Sequence, residues 1–273
     1  MNVEVSEQFA LLDNDEYHYG EELADHISST RAKEAYKSPA QFGRKYYPVG
    51  PQKVLAEEDS DSDAMLFGTL VHDRCLIRKK GWKGHDGKRK QGEDVLYVSR
   101  RLKSSGSICQ RDLIGCSLSL REALRYVFAM YSGGNWLAER VCTTTFTTGD
   151  GVEDFEFPVK AKFDLLLLHG NKAHLYDVKT TRNAEEWAFL RQADDLNYKF
   201  SLRWYSRVLE EIGYEVVEAN WIAVEKGSPW RWDIYPCDES ELAQADIEID
   251  QALLNIGYGQ KYGFPQSMKI TEA

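Results

Sequence analysis

Two short segments set acidic and basic side chains at spacings that permit chemistry. The first is Val159-Lys160-Ala161-Lys162-Phe163-Asp164-Leu165 and the second is Leu175-Tyr176-Asp177-Val178-Lys179-Thr180-Thr181. Residues two apart on a strand project from one face, so Asp177 and Lys179 point together. If the segments are neighbouring strands, Asp164 faces them at cross-strand distance. Two carboxylates beside an ammonium suit a hard divalent cation, which prefers oxygen ligands. The spacing predicts a Mg2+ centre held by Asp164 and Asp177, with the Val178 carbonyl as a further oxygen and Mn2+ as a substitute ion. Such a metal polarises a phosphodiester and lowers the pKa of a bound water. Lys179 would orient that water or offset charge in the transition state. Asp-x-Lys is also the pattern of an exposed salt bridge of little weight. The setting favours chemistry: residues 165–168 are all leucine and Leu175-Tyr176 precedes the second acid. Both strands therefore read as buried, where a carboxylate needs a partner or a metal.

Positioning these groups requires a hairpin. Residues 155–168 and 174–179 read as its strands, with His169-Gly170-Asn171-Lys172 as the turn. A second hairpin is expected from residues 216–224 and 230–235 around Gly227-Ser228-Pro229. Helical spacing predicts a long helix over 184–212 and a last one over 239–256. Upstream, Ser28, Ser29 and Thr30 can cap a helix through 31–36, and Ser38-Pro39 ends it and starts another. A helix over 64–77 puts Gly68 and His72 on one side, and 119–138 reads as a further helix breaking at Gly133-Gly134. Residues 48–62 read as a loop. The order predicts an α/β fold, a mixed sheet flanked by helices. It is expected as one domain over 27–273, preceded by a loosely ordered acidic arm over 1–26.

The chain has 273 residues and a net charge of −10, which argues against non-specific coating of nucleic acid but leaves room for a local basic face. No apolar run of about 18 residues occurs, and the acidic start does not resemble a secretory signal. No membrane partner and a cytoplasmic location are expected. Cys75, Cys109, Cys116, Cys142 and Cys237 are scattered without a CxxC pair, so neither a zinc site nor an iron–sulfur cluster is expected.

The basic face has a candidate. Arg78, Lys79, Lys80, Lys83, Lys88, Arg89 and Lys90 lie within 13 residues, opposed by Asp86 alone, with Trp82 among them. Such a loop can grip phosphates without reading sequence, and Trp82 can stack on a base; it can equally be a solvated loop. Lys199, Arg203 and Arg207, four apart, form a second basic stripe, which also fits a solvated helix face.

Four stretches together resemble the RecE-type exonuclease (exonuclease VIII) family, a branch of the PD-(D/E)XK nucleases from phage recombination. They are residues 29–42 with Ser38-Pro39-Ala40-Gln41-Phe42, then Phe67-Gly68-Thr69-Leu70-Val71-His72, then Lys162-Phe163-Asp164, then Asp177-Val178-Lys179-Thr180-Thr181. The resemblance implies a PD-(D/E)XK (restriction-endonuclease-like) core and assigns His72 beside the metal, Asp164 and Asp177 as its carboxylates, and Lys179 as the catalytic lysine. A neutral imidazole can ligate a metal or hold its water. The resemblance also implies Glu139 as a further acid. Where this nuclease class has a glutamine and a tyrosine four apart, this chain has Ser201 and Tyr205. Ser201 puts the usual contact to metal or DNA in doubt, although a serine can act through water. By resemblance, the activity is processive 5′→3′ digestion of linear double-stranded DNA ends by a ring-shaped homo-oligomer, serving a single-strand annealing protein. The alternatives are a structure-specific or nicking endonuclease on the same site, and a catalytically silent DNA-binding module.

Overall fold

Five strands form one mixed sheet in the order β1-β2-β3-β4-β5 in a computed structural model of the chain. It describes residues 8–12, 14–48, 63–76, 109–131 and 133–265. The elements are α1 (Asn14–Tyr19), α2 (Ser29–Lys37), α3 (Pro39–Tyr46), α4 (Asp63–Cys75), α5 (Gln110–Met130), β1 (Asn135–Gly149), β2 (Asp154–His169), β3 (Lys172–Thr181), α6 (Glu186–Asp195), α7 (Tyr198–Glu211), β4 (Glu215–Glu225), β5 (Trp232–Pro236) and α8 (Glu239–Tyr262). Among the described residues, no helix is long and apolar enough to cross a membrane.

The expected α/β architecture is present, and both hairpins form. The tight β2–β3 turn places Gly170 at φ 64°, in the left-handed region that favours glycine. Strands β3 and β4 run parallel, so α6 and α7 make the crossover that parallel strands require. Caps explain the upstream helices: the Ser28 side chain accepts from Arg31 N and the Ser38 side chain from Gln41 N, with Pro39 at the start of α3.

Three expectations need correction. The helix placed over 119–138 starts at Gln110 and ends at Met130, and residues 135–149 form β1, a strand not anticipated. The long helix over 184–212 is two helices, because Asn197 adopts φ 49° and its side chain caps Phe200 N. The N-terminal segment expected as a loose arm is tied down over its described residues. Phe9 and Tyr17 are buried, Ala10 bridges Val141, and Ile27 bridges Val159. The 78–90 loop and most of the 48–62 loop lie outside the described residues.

The sheet buries both faces. Against α2, α7 and α8 lie Phe163, Leu166, Leu168, Leu175 and Trp221; against α4 and α5 lie Leu165, Tyr176, Val178, Ile222 and Val224. One irregularity in this alternation positions the acids. Phe163 and Leu166 face the same side although three residues apart, as do Leu137 and Cys142 on β1. The side-chain alternation of both strands therefore slips by one between these residues. Glu139 sits at the slip with φ 50°, and the β1–β2 register places it opposite Asp164, between the pairs Ala138–Leu165 and Arg140–Phe163.

Candidate active site

The site forms where β2 and β3 part. These strands pair only over residues 165–169 and 172–176. One rung further, at Asp164 and Asp177, β2 continues with β1 while β3 continues with β4. A strand leaving its partner exposes a backbone N–H that must find an acceptor. Asp164 Oδ2 takes the N–H of Val178 at 2.7 Å. Since the N–H and C=O of a strand residue point to the same side, the Val178 carbonyl turns toward the same gap.

Around this fork the predicted residues converge. His72, from α4, has Nδ1 3.4 Å from Glu139 Oε1 and 3.4 Å from Asp164 Oδ1. His72, Glu139 and Asp164 each offer a ligand atom, all within 4.8 Å of one another. Asp177 lies against Asp164, and its Oδ2 is 2.6 Å from Lys179 Nζ. The ammonium of Lys179 also sits 5.2 Å from the centre of the Tyr198 ring. Lys162 Nζ holds the other Glu139 oxygen at 2.8 Å. Its place two residues before Asp164 does not by itself mark Lys162 as a partner of Glu139, which lies on another strand.

Charge sets the protonation of this cluster. Burial opposes a charged His72, but Asp164 and Glu139 outweigh it and hold its pKa well above the usual value. Burial would raise Asp164, yet His72, then Lys179 and the Val178 N–H, drive its carboxyl well below the ordinary range. Asp177 goes the other way: burial, with Asp164 beside it, lifts it to about 6 against the pull of Lys179. Lys179 is disfavoured by burial but raised overall by Asp177 and Asp164, so it stays an ammonium.

These residues fit a divalent cation. Glu139 Oε1 and Asp177 Oδ2 are sealed from solvent and rest on the charges of His72 at 3.4 Å and Lys179 at 2.6 Å. Carboxylates buried against one another repel even so, as the raised Asp177 beside Asp164 records, and a cation among them relieves that repulsion. One imidazole nitrogen, three carboxylates and a backbone carbonyl form an oxygen-rich set for such an ion. The cluster is reachable, since the side chains of His72 and Lys179 keep 21% of their surface exposed and Asp164 keeps 14%.

Tyr205, on α7, stacks edge-on with Phe163 at 5.8 Å. Its hydroxyl is raised by burial and by Asp177 and Asp164, and it bonds the side chain of Ser29. Tyr205 therefore lies within electrostatic reach of both acids. Ser201 is buried one turn earlier. The basic stripe is already paired: Arg203 binds Glu210 at 2.7 Å and Asp246 at 2.8 Å, and Arg207 binds Asp250 at 2.7 Å. Arg78, Lys79, Lys80, Trp82, Lys83, Lys88, Arg89 and Lys90 fall outside the described residues.

No curated protein matches the chain. Among solved structures, a protein from Eubacterium rectale, provisionally described as an exonuclease, superposes with a TM-score of 0.58 at 13% identity. The match covers 94% of this chain and 89% of that one. The protein SSO0001 aligns at a TM-score of 0.31 and 14% identity, over 70% of this chain and 85% of its own. The PD-(D/E)XK nuclease superfamily matches residues 26–256. With the fork, its acids and its lysine in place, this chain is a member of the PD-(D/E)XK nuclease superfamily.

Proposed function

We propose that the chain is a Mg2+-dependent exodeoxyribonuclease acting on linear double-stranded DNA. The observation that carries this reading is the convergence of His72, Glu139, Asp164, Asp177 and Lys179 at the β2–β3 fork. A bound divalent ion would supply charge neutralisation and an activated water. Glu139, Asp164, Asp177 and the Val178 carbonyl would hold it, with His72 as ligand or as partner of its water. Lys179, kept protonated and aimed by Asp177, orients the attacking water and offsets charge on the phosphate.

Exonuclease rather than endonuclease action is supported by the RecE-type order of motifs over residues 27–212 and by the description of the Eubacterium rectale protein. The 5′→3′ polarity, the ring-shaped oligomer and a single-strand annealing partner rest on the RecE-type resemblance alone. The test is nucleotide release from linear and closed circular duplex DNA in Mg2+ or EDTA. Metal-dependent digestion of linear DNA alone is expected. Cutting of closed circles would make the protein an endonuclease, and inertness with every divalent metal would leave a DNA-binding module.

A further inference from the structure

Helix α2 carries Ser29, Lys33 and Lys37 four residues apart, so the three share one face. Its first residue fixes where that face looks: Ser29 is buried and bonded to Tyr205, the tyrosine beside Asp177 and Asp164. One turn on, Lys33 is half-buried and lies within electrostatic reach of Lys179 and Asp177. Among the described residues, Lys33 makes no hydrogen bond or ion pair. Lys37, a further turn on, is exposed.

A half-buried ammonium that feels Asp177 and Glu248 but makes an ion pair with neither is costly. Burial first, and then repulsion from Lys179, lower Lys33 from 10.5 to about 7 against the pull of Asp177 and Glu248. Most other lysines around the site are matched: Lys179 by Asp177, Lys162 by Glu139 and Lys199 by Asp194. Lys33 is left without an ion pair on the α2 face beside the fork, and a phosphate is an anion that would complete it.

We propose that Lys33 binds a backbone phosphate of the DNA strand entering the site, with Lys37 continuing the same track along α2. The assignment rests on the nuclease reading and deepens it. The phosphate path then runs over α2, on the opposite side of the sheet from α4.

Binding of a short labelled DNA duplex in Ca2+, across a salt series, tests this with wild type, Lys33→Gln, Lys33→Met and Lys33→Arg. Both neutral variants are expected to bind about tenfold more weakly. Their log–log salt slope should be smaller by about 1, and KM should rise more than kcat falls. Lys33→Arg should restore binding. Wild-type affinity and slope in the neutral variants would overturn the assignment while leaving the nuclease reading intact. Failure of wild type to bind or cut DNA would instead sink that reading. Loss of folding in both neutral variants also overturns the proposal, because an unpaired ammonium awaiting a ligand should not support the fold.

Discussion

Replacing Asp177 with asparagine should make the metal-free protein more stable and catalytically inert. Asp177 is buried, and its carboxyl is lifted from 3.8 to about 6. That rise corresponds to about 3 kcal/mol, the upper bound on what an ionised Asp177 costs the fold. The sign follows from a raised carboxyl. The cost is absent below the unfolded value of 3.8, grows between the two values, and is complete above about 6. Asparagine keeps the shape and cannot ionise, so its advantage should vanish in acid and be largest in mild alkali. For a chain of this size it amounts to about 5–10 °C in Tm. Thermal unfolding in EDTA at about pH 4 and about pH 8, alongside Mg2+-dependent cleavage, measures both halves. A less stable variant at the higher pH, or an equal offset at both, would refute a charge held against Asp164 in a dry fork. Such a trade of stability for a metal site is common where function demands like charges together.

Three further outcomes are expected. Lys179→Ala should slow cleavage by about 10²–10³-fold or more while duplex affinity in Ca2+ stays within about threefold; near-normal rates would remove the lysine from the chemistry. Mg2+ affinity should rise with pH, because the imidazolium of His72, stabilised by Asp164 and Glu139 despite burial, must lose its proton before it can ligate. Titration calorimetry in buffers of different ionisation heat reads that release, and pH-independent affinity would exclude His72 as a ligand. Gly68→Ala should preserve or raise stability by up to about 1 kcal/mol, since among the described residues its Cβ would meet only Thr180 Oγ1, at 3.5 Å. Lost activity in a stable variant would show that substrate uses this space, whereas a lower Tm would contradict the packing.

The acids were legible because a hairpin has a short-range signature. Alternation, a tight turn at Gly170 and a buried leucine run are all local, and they fix Asp164 opposite Asp177. Glu139 was placed by resemblance only, since its strand was read as the end of a helix. The β-branched run Thr143-Thr144-Thr145 and Thr147-Thr148 is the signal that would have found β1. Even so, the slip that turns Glu139 toward Asp164 depends on φ 50° at a non-glycine residue, which no propensity announces. The break at Asn197 was hidden for a similar reason, as one left-handed residue splits an otherwise continuous helical pattern. Basic stripes mislead from sequence alone. Arg203 and Arg207 look free until α8 brings Asp246 and Asp250 against them, while Lys33 becomes noticeable only once α2 is seen beside the fork.

The central claim is that the fork grips a divalent cation, and the position of Mn2+ in crystals grown with it tests this most directly. Anomalous difference density should show manganese bonded to Asp164 and Asp177, with Glu139, His72 or the Val178 carbonyl completing its ligands. Manganese bound elsewhere, or a fork still closed by the Lys179–Asp177 and His72–Asp164 pairs at saturating metal, would contradict the account.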